Sequence, residues 1–321
     1  MLRYIIKRIL ISIPLLLTMS LLTFVLIQRS PGSFFDSLRL NPQVSPETIA
    51  RYERLYHLDQ PLLEQYLYWI KNLFHFEFGY SFFYNVPVAN LISHRLWNTF
   101  ILSLASLLFT WMVAIPFGIW AAVRRNRLID RLLSICSFAG LSMPSFFLAM
   151  IFLYLASQGG ILPLGGMRSA FFDDLSPMGK MIDLGKHLII PTLVISVGSM
   201  GALQRIMRGS MLDVLRQQYI LTARAKGLPE HRVIYRHALR NAINPLITLF
   251  GYELSSLLSG AALTEIICSW PGIGSLMLTA VRAKDVYLVM SNMLMGGILL
   301  LLGNLIADIL LAWSDPRIRY D

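Results

Sequence analysis

The feature that most constrains this chain is a series of long apolar runs separated by shorter polar connections. Runs of about 20 apolar residues are long enough for a helix to cross the hydrocarbon core of a bilayer. The composition agrees, because 55% of the residues are hydrophobic, 14% are charged and the mean hydropathy is +0.59. In lipid every backbone polar group needs an internal partner, which a helix provides. The sequence therefore predicts an all-α membrane protein.

Six runs are candidates for spanning helices. The first follows Arg3, Lys7 and Arg8 and lacks a small-residue cleavage site, which indicates a retained span rather than a signal peptide. Pro144 lies within the third, where neighbouring helices can satisfy the carbonyl group that a proline leaves free. Basic residues exceed acidic ones in every short loop on one side, so both termini are predicted to be cytoplasmic. We place the transmembrane helices at residues 9–28, 97–123, 132–157, 187–205, 245–268 and 286–313.

Residues 29–96 are polar and aromatic, too long for a hairpin and too charged to span the membrane. We predict an extracytoplasmic helical insert between spans 1 and 2, in which one helix has Ser45 as its cap and Pro46 at its first position. A second helix, within residues 60–76, is amphipathic and predicted to lie in the membrane interface. Pro87 is predicted to begin a short helix that leads into the second span. The aromatic side chains expected at the headgroups are Tyr66, Tyr68 and Trp69.

Three parts follow from this layout: an anchor and first span at residues 1–28, the insert at residues 29–96, and a five-helix core at residues 97–321. Within the core, residues 158–186 are rich in Gly and Pro and electrically neutral, which favours an extracytoplasmic loop. Residues 212–244 are basic and are predicted to form a cytoplasmic loop.

The longest strongly polar stretch, residues 219–245, predicts a helix, a sharp turn and a second, short helix. Gly227 follows a helical pattern and suits the left-handed turn, Leu228 supplies an apolar contact, and Pro229 fits the first turn of the next helix. The short helix is predicted to run to about Asn241. From these residues alone, two other interpretations stay open: a basic loop that only obeys topology, or a surface helix bound to anionic lipid.

Several kinds of chemistry have no motif in this sequence. There is no phosphate-binding loop of the type G-x-x-x-x-G-K-[ST] and no nucleophile elbow, so we expect no enzyme and no ATP site in this chain. The two cysteines, Cys136 and Cys268, lie in apolar segments without zinc spacing. His231 and His237 are interpreted as contact residues rather than metal ligands. The net charge of +10 does not indicate a nucleic-acid partner.

Two acidic residues, Glu253 and Asp308, fall within predicted spans. Acidic groups in a membrane are costly and usually face a cavity or a partner, so each is a functional candidate. A structural role is the alternative, with Glu253 bonded to a serine of a facing helix and Asp308 close to cytoplasmic water. The fifth span is rich in small residues, including Ser256 and Gly260, which favour close helix packing and, more rarely, line a pore.

The basic stretch and segments throughout the chain resemble one family. They are similar to the first, or B-type, membrane subunit of ATP-binding-cassette (ABC) importers of the dipeptide/oligopeptide branch, which also includes nickel and glutathione importers. The resemblance covers nearly the whole chain. The matching residues and segments are Tyr219, Thr222-Ala223-Arg224-Ala225-Lys226-Gly227-Leu228, Arg236-His237-Ala238-Leu239-Arg240-Asn241-Ala242, Pro245, Leu58-Asp59-Gln60-Pro61, Gln65-Tyr66, Gly79-Tyr80-Ser81, Asn98-Thr99, Leu162-Pro163, Glu265, Trp270-Pro271-Gly272-Ile273-Gly274 and Asp315-Pro316-Arg317-Ile318-Arg319-Tyr320.

The resemblance implies a type I ABC importer permease fold, in which a short cytoplasmic helix docks on a separate ATPase subunit. It implies a second homologous permease subunit, two cytoplasmic ATPases that bind ATP and Mg²⁺, a periplasmic substrate-binding protein, and a multi-pass location in the bacterial inner membrane, in contact with lipid. Where the wider family's signature begins Glu-Ala-Ala, this chain has Leu221-Thr222-Ala223, so an ion pair made by that glutamate is not carried over. The implied coupling residues are Thr222, Ala223, Arg224, Ala225, Lys226, Gly227, Leu228, Pro229, Glu230, Arg232, Tyr235, Arg236, His237 and Arg240.

For the translocation path, the sequence offers a set of small, acidic and aromatic candidates in and after the fifth predicted span. Within transport, the cargo alternatives are short peptides, nickel chelates and glutathione. An alternative of another class is a secondary transporter with Glu253 as proton carrier, although no internal repeat is found. A passive channel is disfavoured because the basic loop has no evident role in it. The path candidates are Glu253, Ser256, Gly260, Glu265 and Trp270.

Overall fold

A computed structural model describes residues 2–39, 45–247, 249–250, 253 and 262–314. These residues are mainly helical, with one two-stranded antiparallel ribbon in which Tyr80 pairs with Pro87 and Ser81 with Val86. Helical residues also occur at 244–247, 249–250 and 253. The labelled elements are α1 (Leu2–Arg29), α2 (Phe34–Arg39), α3 (Pro46–Leu55), α4 (Leu62–Leu73), β1 (Tyr80–Ser81), β2 (Val86–Pro87), α5 (Val88–Val123), α6 (Leu128–Ser142), α7 (Ser145–Gly159), a 3-10 turn (Phe172–Asp174), α8 (Pro177–Leu215), α9 (Gln218–Ala225), α10 (Glu230–Arg232), a π-helical turn (Val233–Ala238), α11 (Leu239–Ala242), α12 (Ala262–Ile267), α13 (Ile273–Ala283) and α14 (Val286–Ser314).

Four helices among the described residues, α1, α5, α8 and α14, are long and apolar enough to cross a membrane. The bent pair α6 and α7 adds a fifth if it forms one span. Much of the fifth predicted span, residues 245–268, lies outside the described residues. The helical and apolar character predicted from the sequence is confirmed.

The third predicted span is not one helix. Helix α6 ends at Ser142, α7 begins at Ser145, and their axes are bent by 107°. The bend is at Met143, whose backbone is extended (φ −91°, ψ 126°), because a residue that precedes a proline is pushed out of the helical region. The prediction that Pro144 is accommodated within a continuous helix was therefore wrong.

Two other predicted boundaries were wrong because the helices are longer than their apolar runs. Pro87 belongs to β2, and α5 then runs unbroken from Val88, so no separate short helix precedes the second span. The loop predicted at residues 158–186 ends at Ser176, whose hydroxyl accepts the amide of Gly179 at 3.2 Å and caps α8. At 1.5 Å per residue, α5 and α8 are about 54 and 58 Å long, well beyond the hydrocarbon thickness.

The chain separates into two compact units. The first comprises Thr99–Pro271 and Leu300–Asp321. In it α6 packs closely on α8: a Cβ atom added at Gly201 would lie 2.6 Å from the carbonyl oxygen of Ser137, and one at Gly140 would lie 2.9 Å from Val197. Small residues thus allow the close approach of helices that membrane proteins use for packing.

A bidentate ion pair links α6 to α8 at one end of this contact. Arg208 donates from Nε to Asp130 Oδ1 at 2.6 Å and from Nη2 to Asp130 Oδ2 at 2.8 Å. The backbone amide of Asn126 also donates to Asp130, at 2.9 Å. Because the Asp130 side chain is only 5% exposed, these donors replace the water that the carboxylate loses.

The second unit comprises Leu2–Asn98 and Gly272–Leu299. Helix α3 begins as predicted, because Ser45 Oγ accepts the amide of Thr48 at 3.2 Å and Pro46 is the first helical residue. Tyr66 and Trp69 of α4 are buried in a cluster that includes Phe24 of α1. The prediction that Tyr66 and Trp69 face the lipid headgroups was therefore wrong, because this apolar face of α4 is covered by protein. For Tyr68, which is 38% exposed, it stays a prediction.

Asp285 stands just before α14 and is completely buried in the second unit. Its Oδ2 accepts the hydroxyl of Ser81 at 2.7 Å and the amide of Phe83 at 3.1 Å, and its Oδ1 accepts the amide of Leu288 at 3.3 Å. Burial raises the pKa of Asp285, while the hydrogen bonds from Ser81 and the backbone oppose that rise. One carboxylate therefore caps α14 and anchors the ribbon segment to it.

Candidate functional site

The sharp turn predicted within residues 219–245 is centred on Gly227. Its φ of +74° lies in the left-handed region, as predicted for a residue that ends a helix. The amide of Gly227 donates to the carbonyl of Arg224 at 2.9 Å, and that of Leu228 donates to Ala223 at 3.4 Å. These two backbone hydrogen bonds end α9 and turn the chain in a new direction. Pro229 then occupies the N-cap position of α10.

The predicted short helix extends over residues 230–242, as α10, the π-helical turn and α11 in succession. In the π-helical turn the amide of Leu239 donates to the carbonyl of Ile234, five residues earlier. Val233 and Ala238, also five residues apart, are both fully buried. The wider turn thus keeps both side chains on the inner side of the segment, an arrangement that the amphipathic pattern alone did not reveal.

The inner face of this segment is embedded in the first unit. Val233, Ile234 and Ala238 belong to the same buried cluster as Met207 and Met211 of α8. Ser210 Oγ also donates to the carbonyl of Ala242 at 2.7 Å, which fixes the end of the run to α8. The rest of this cluster includes Ala114, Ile119, Ala122, Leu203, Ile220, Ala223, Ala242 and Leu246.

The outer face is exposed and basic. We call it the basic face. Tyr235 projects from it with 63% of its surface exposed. Glu230 is the acidic residue within residues 219–245. Of the other predicted coupling residues, Thr222, Ala225, Gly227 and Pro229 are exposed, Leu228 and His237 are half-buried, and Ala223 is buried. The members of the basic face are Arg224, Lys226, Arg232, Tyr235, Arg236 and Arg240.

Arg224 and Glu230 form an ion pair across the turn. Arg224 donates from Nη2 to Glu230 Oε1 at 2.6 Å and from Nε to Oε2 at 3.2 Å. The two side chains are 38% and 53% exposed, so the pair is worth no more than about 1 kcal/mol. Its effect is to orient the two helices joined at Gly227 rather than to stabilise the whole chain.

The path candidates have different surroundings. Glu253 Oε2 accepts the indole N–H of Trp111 at 2.8 Å, and the Trp111 ring meets Phe250 edge to face at 5.1 Å. Glu265 is completely buried and accepts the hydroxyl of Thr99 at 2.7 Å. Trp270 is also completely buried, packed with Leu102 and Met167. Ser256 and Gly260 lie outside the described residues.

Sequence reasoning missed Asp285 and the pair of Asp130 and Arg208. The position of Asp285 directly before an apolar helix is a usable signal, because aspartate is a favoured helix cap. Asp130 and Arg208 are far apart in sequence, and only the packing of α6 on α8 brings them together. A group of side chains able to hold a metal ion is not found among the described residues.

Comparison with known proteins gives a consistent result. A family model described as the binding-protein-dependent transport system inner membrane component matches residues 114–320, and the model of its N-terminal part matches residues 1–105. The chain is 39% identical over 319 residues to the oligopeptide transport system permease protein AppB of Bacillus subtilis (strain 168), covering 99% of both chains. It is 35% identical over 337 residues to the dipeptide transport system permease protein DppB of Escherichia coli (strain K12), covering 100% of this chain and 99% of the relative.

A solved structure shares the fold. It is an inward-facing form of the MetNI methionine ABC transporter, matched with a TM-score of 0.52 and 17% identity over 70% of this chain and 96% of that chain. At 17% identity, this similarity shows a shared fold and nothing more. The two family models and the relatives matched over nearly their whole length also show common descent. The chain therefore belongs to the family of binding-protein-dependent transport system inner membrane components and is a multi-pass protein of the bacterial inner membrane.

Proposed function

We propose that this chain is one of two permease subunits of an ABC importer that moves dipeptides or oligopeptides across the inner membrane. The named cargo of AppB and DppB supports the peptide class. The observation that carries the mechanism is the segment 230–242, whose outer side carries Arg232, Arg236 and Arg240 of the basic face and whose inner side is embedded in the helical core. Such a surface is suited to receive a partner and to pass its motion inward.

The proposed topology has six spans with both termini in the cytoplasm and residues 29–96 as an extracytoplasmic insert. It is supported by the basic short loops on the cytoplasmic side. In this topology the basic face lies in the cytoplasm, where ATPase subunits are found. Helix α8 then runs about 58 Å from an extracytoplasmic start at Pro177 to a cytoplasmic end at Leu215.

The proposed mechanism divides the work between chains. Two partner ATPases bind ATP and Mg²⁺, and their closure displaces the helical run 230–242 through the basic face. Val233 and Ile234 pack in one cluster with Met207 of α8, so a displacement of the run is transmitted to α8 rather than absorbed by a loose loop. A periplasmic binding protein delivers the peptide to the opened permease pair.

Three kinds of contact are proposed for the coupling residues. Gly227, Leu228 and Pro229 set the angle of the turn, and Ala223 anchors it to the core. Glu230 orients the turn through Arg224. The residues proposed to contact the ATPase are Thr222, Arg224, Ala225, Lys226, Arg232, Tyr235, Arg236, His237 and Arg240.

Reconstitution tests the function. We expect proteoliposomes that hold this chain, a second permease subunit and two ATPases to accumulate a labelled dipeptide when ATP is inside and the binding protein outside. Vesicles without the ATPases are the control. Uptake driven by a proton gradient in that control would instead support the secondary transporter. Competition by glutathione or a nickel chelate, with no effect of peptides, would support the alternative cargo.

A second prediction concerns Glu253. We expect Glu253→Gln to lower the uptake rate by about tenfold, or about 1.4 kcal/mol of barrier, with normal expression. The amide keeps an acceptor for Trp111 while it removes the charge, so packing is retained. Trp111→Phe is the matched variant, because it removes the donor and leaves the carboxylate. Normal uptake by Glu253→Gln would assign the residue a structural role and remove it from the path.

A further inference from the structure

We propose that a cavity in the second unit binds the amino-terminal residue of a short peptide through its ammonium group. The inference rests on the proposed function for the cargo class. The cavity lies between α4 and the ribbon segment and has a volume of about 440 Å³. This size lies in the range of small-molecule sites and accommodates one amino-acid residue with part of the next.

The walls of the cavity are aromatic. Tyr56 and Tyr80 stack at 5.9 Å between ring centroids, and Tyr56 also meets Tyr287 at 6.5 Å. Tyr68 lines the same cavity and is 38% exposed. Electron-rich ring faces attract a cation, and ammonium groups are bound in this way by clusters of Tyr and Trp. The phenol groups of Tyr80 and Tyr287 already donate to backbone carbonyls, so neither hydroxyl is a free donor for an occupant.

The charge of the cavity favours a cation. Glu77 is the charged residue among the described residues that line it, and it is exposed at the edge. A carboxylate beside aromatic faces is complementary to an ammonium group and repels a peptide's carboxyl terminus. A peptide would therefore enter with its amino terminus first.

The test uses the full chain in nanodiscs without its partners. The probes are the tripeptide Leu-Gly-Gly, labelled at its carboxyl end, and the same peptide acetylated at its amino end. We expect the free peptide to bind about tenfold more tightly near pH 6.5, where its ammonium is charged. Glu77→Gln and Tyr68→Leu should each reduce that difference. Glu64→Gln, an exposed acid of α4 that does not line the cavity, should leave it unchanged.

The two peptides and the two proteins form a double-mutant cycle, because acetylation of the peptide and Glu77→Gln each remove the interaction between the ammonium group and the Glu77 carboxylate. The acetylated peptide should therefore bind equally to the wild type and to Glu77→Gln, and raising the pH to about 9.5 should remove the advantage of the free peptide. Equal binding of the two peptides by the wild type would overturn the proposal. So would loss of peptide binding in phosphatidylethanolamine nanodiscs, which would assign the cavity to a lipid ammonium. Peptide uptake by the reconstituted transporter is measured separately, so either of these results leaves the proposed function intact.

Discussion

Replacing Gly227 with valine is expected to uncouple ATP hydrolysis from peptide uptake while the protein remains in the membrane. The backbone of Gly227 has a φ of +74°, and a β-branched residue in this region costs about 1–3 kcal/mol. A Cβ atom there would meet nothing within 4 Å, so the cost is one of backbone conformation and not of a clash. The chain relieves that strain by changing the angle between α9 and the run 230–242. We expect uptake per ATP hydrolysed to fall at least about tenfold.

The matched variant at this position is Gly227→Asn, because asparagine adopts the left-handed conformation more readily than other residues with a side chain. Gly227→Asn introduces a side chain at this position, yet this variant should retain most of the wild-type uptake rate. The measurements are binding-protein-stimulated ATPase activity and uptake in the same vesicles. Unchanged coupling in Gly227→Val would remove this turn from the mechanism. Equal loss in both variants would mean that side-chain volume, rather than φ, is what the partner senses.

Asp285→Ala is expected to have the largest effect on stability. The substitution leaves three donors without an acceptor: the hydroxyl of Ser81 and the amides of Phe83 and Leu288. Each unmade buried hydrogen bond costs about 1–3 kcal/mol, so the total is about 3 kcal/mol or more. The cap of α14 is lost as well. We expect the midpoint of thermal unfolding in detergent to fall by roughly 5–10 °C.

Two controls separate this network from a general effect of losing a carboxylate. Asp285→Asn keeps one acceptor oxygen and the cap, so its midpoint should lie between those of the wild type and Asp285→Ala. Asp213→Ala removes an exposed acid from α8 and should leave the midpoint unchanged. A midpoint for Asp285→Ala within 1 °C of the wild type, on the order of the effect of a surface substitution, would contradict the role of Asp285 as an anchor.

The local features of the chain were predictable where one residue type has one strong preference. The left-handed turn at Gly227 and the cap at Ser45 follow from glycine's freedom at positive φ and from a serine placed before a proline. The break at Met143 follows from an equally local rule, since a residue before a proline avoids the helical region. The prediction of one continuous transmembrane helix over residues 132–157 failed because it relied on hydropathy and not on this rule.

Other features depended on which surfaces meet. The apolar face of α4 looks the same in the sequence whether lipid or protein covers it, and the packing with Phe24 decided in favour of protein. The surroundings of Glu253 also depended on packing. The sequence shows that a carboxylate within a span is costly, but it does not show that Trp111 is its hydrogen-bond donor. The start of α8 before its apolar run likewise depends on the Ser176 cap rather than on hydropathy.

The sequence by itself determined that the chain is a helical membrane protein, which of its connecting stretches are basic, and where its longest polar stretch turns. These properties depend on composition and on single-residue preferences, which act over a few neighbouring positions. The tertiary structure decided which face of the run 230–242 is buried, which donors hold Asp285, and that Arg208 pairs with Asp130. These are contacts between residues distant in sequence. Their energies come from excluding solvent at one specific interface, and that interface exists only once the helices have packed.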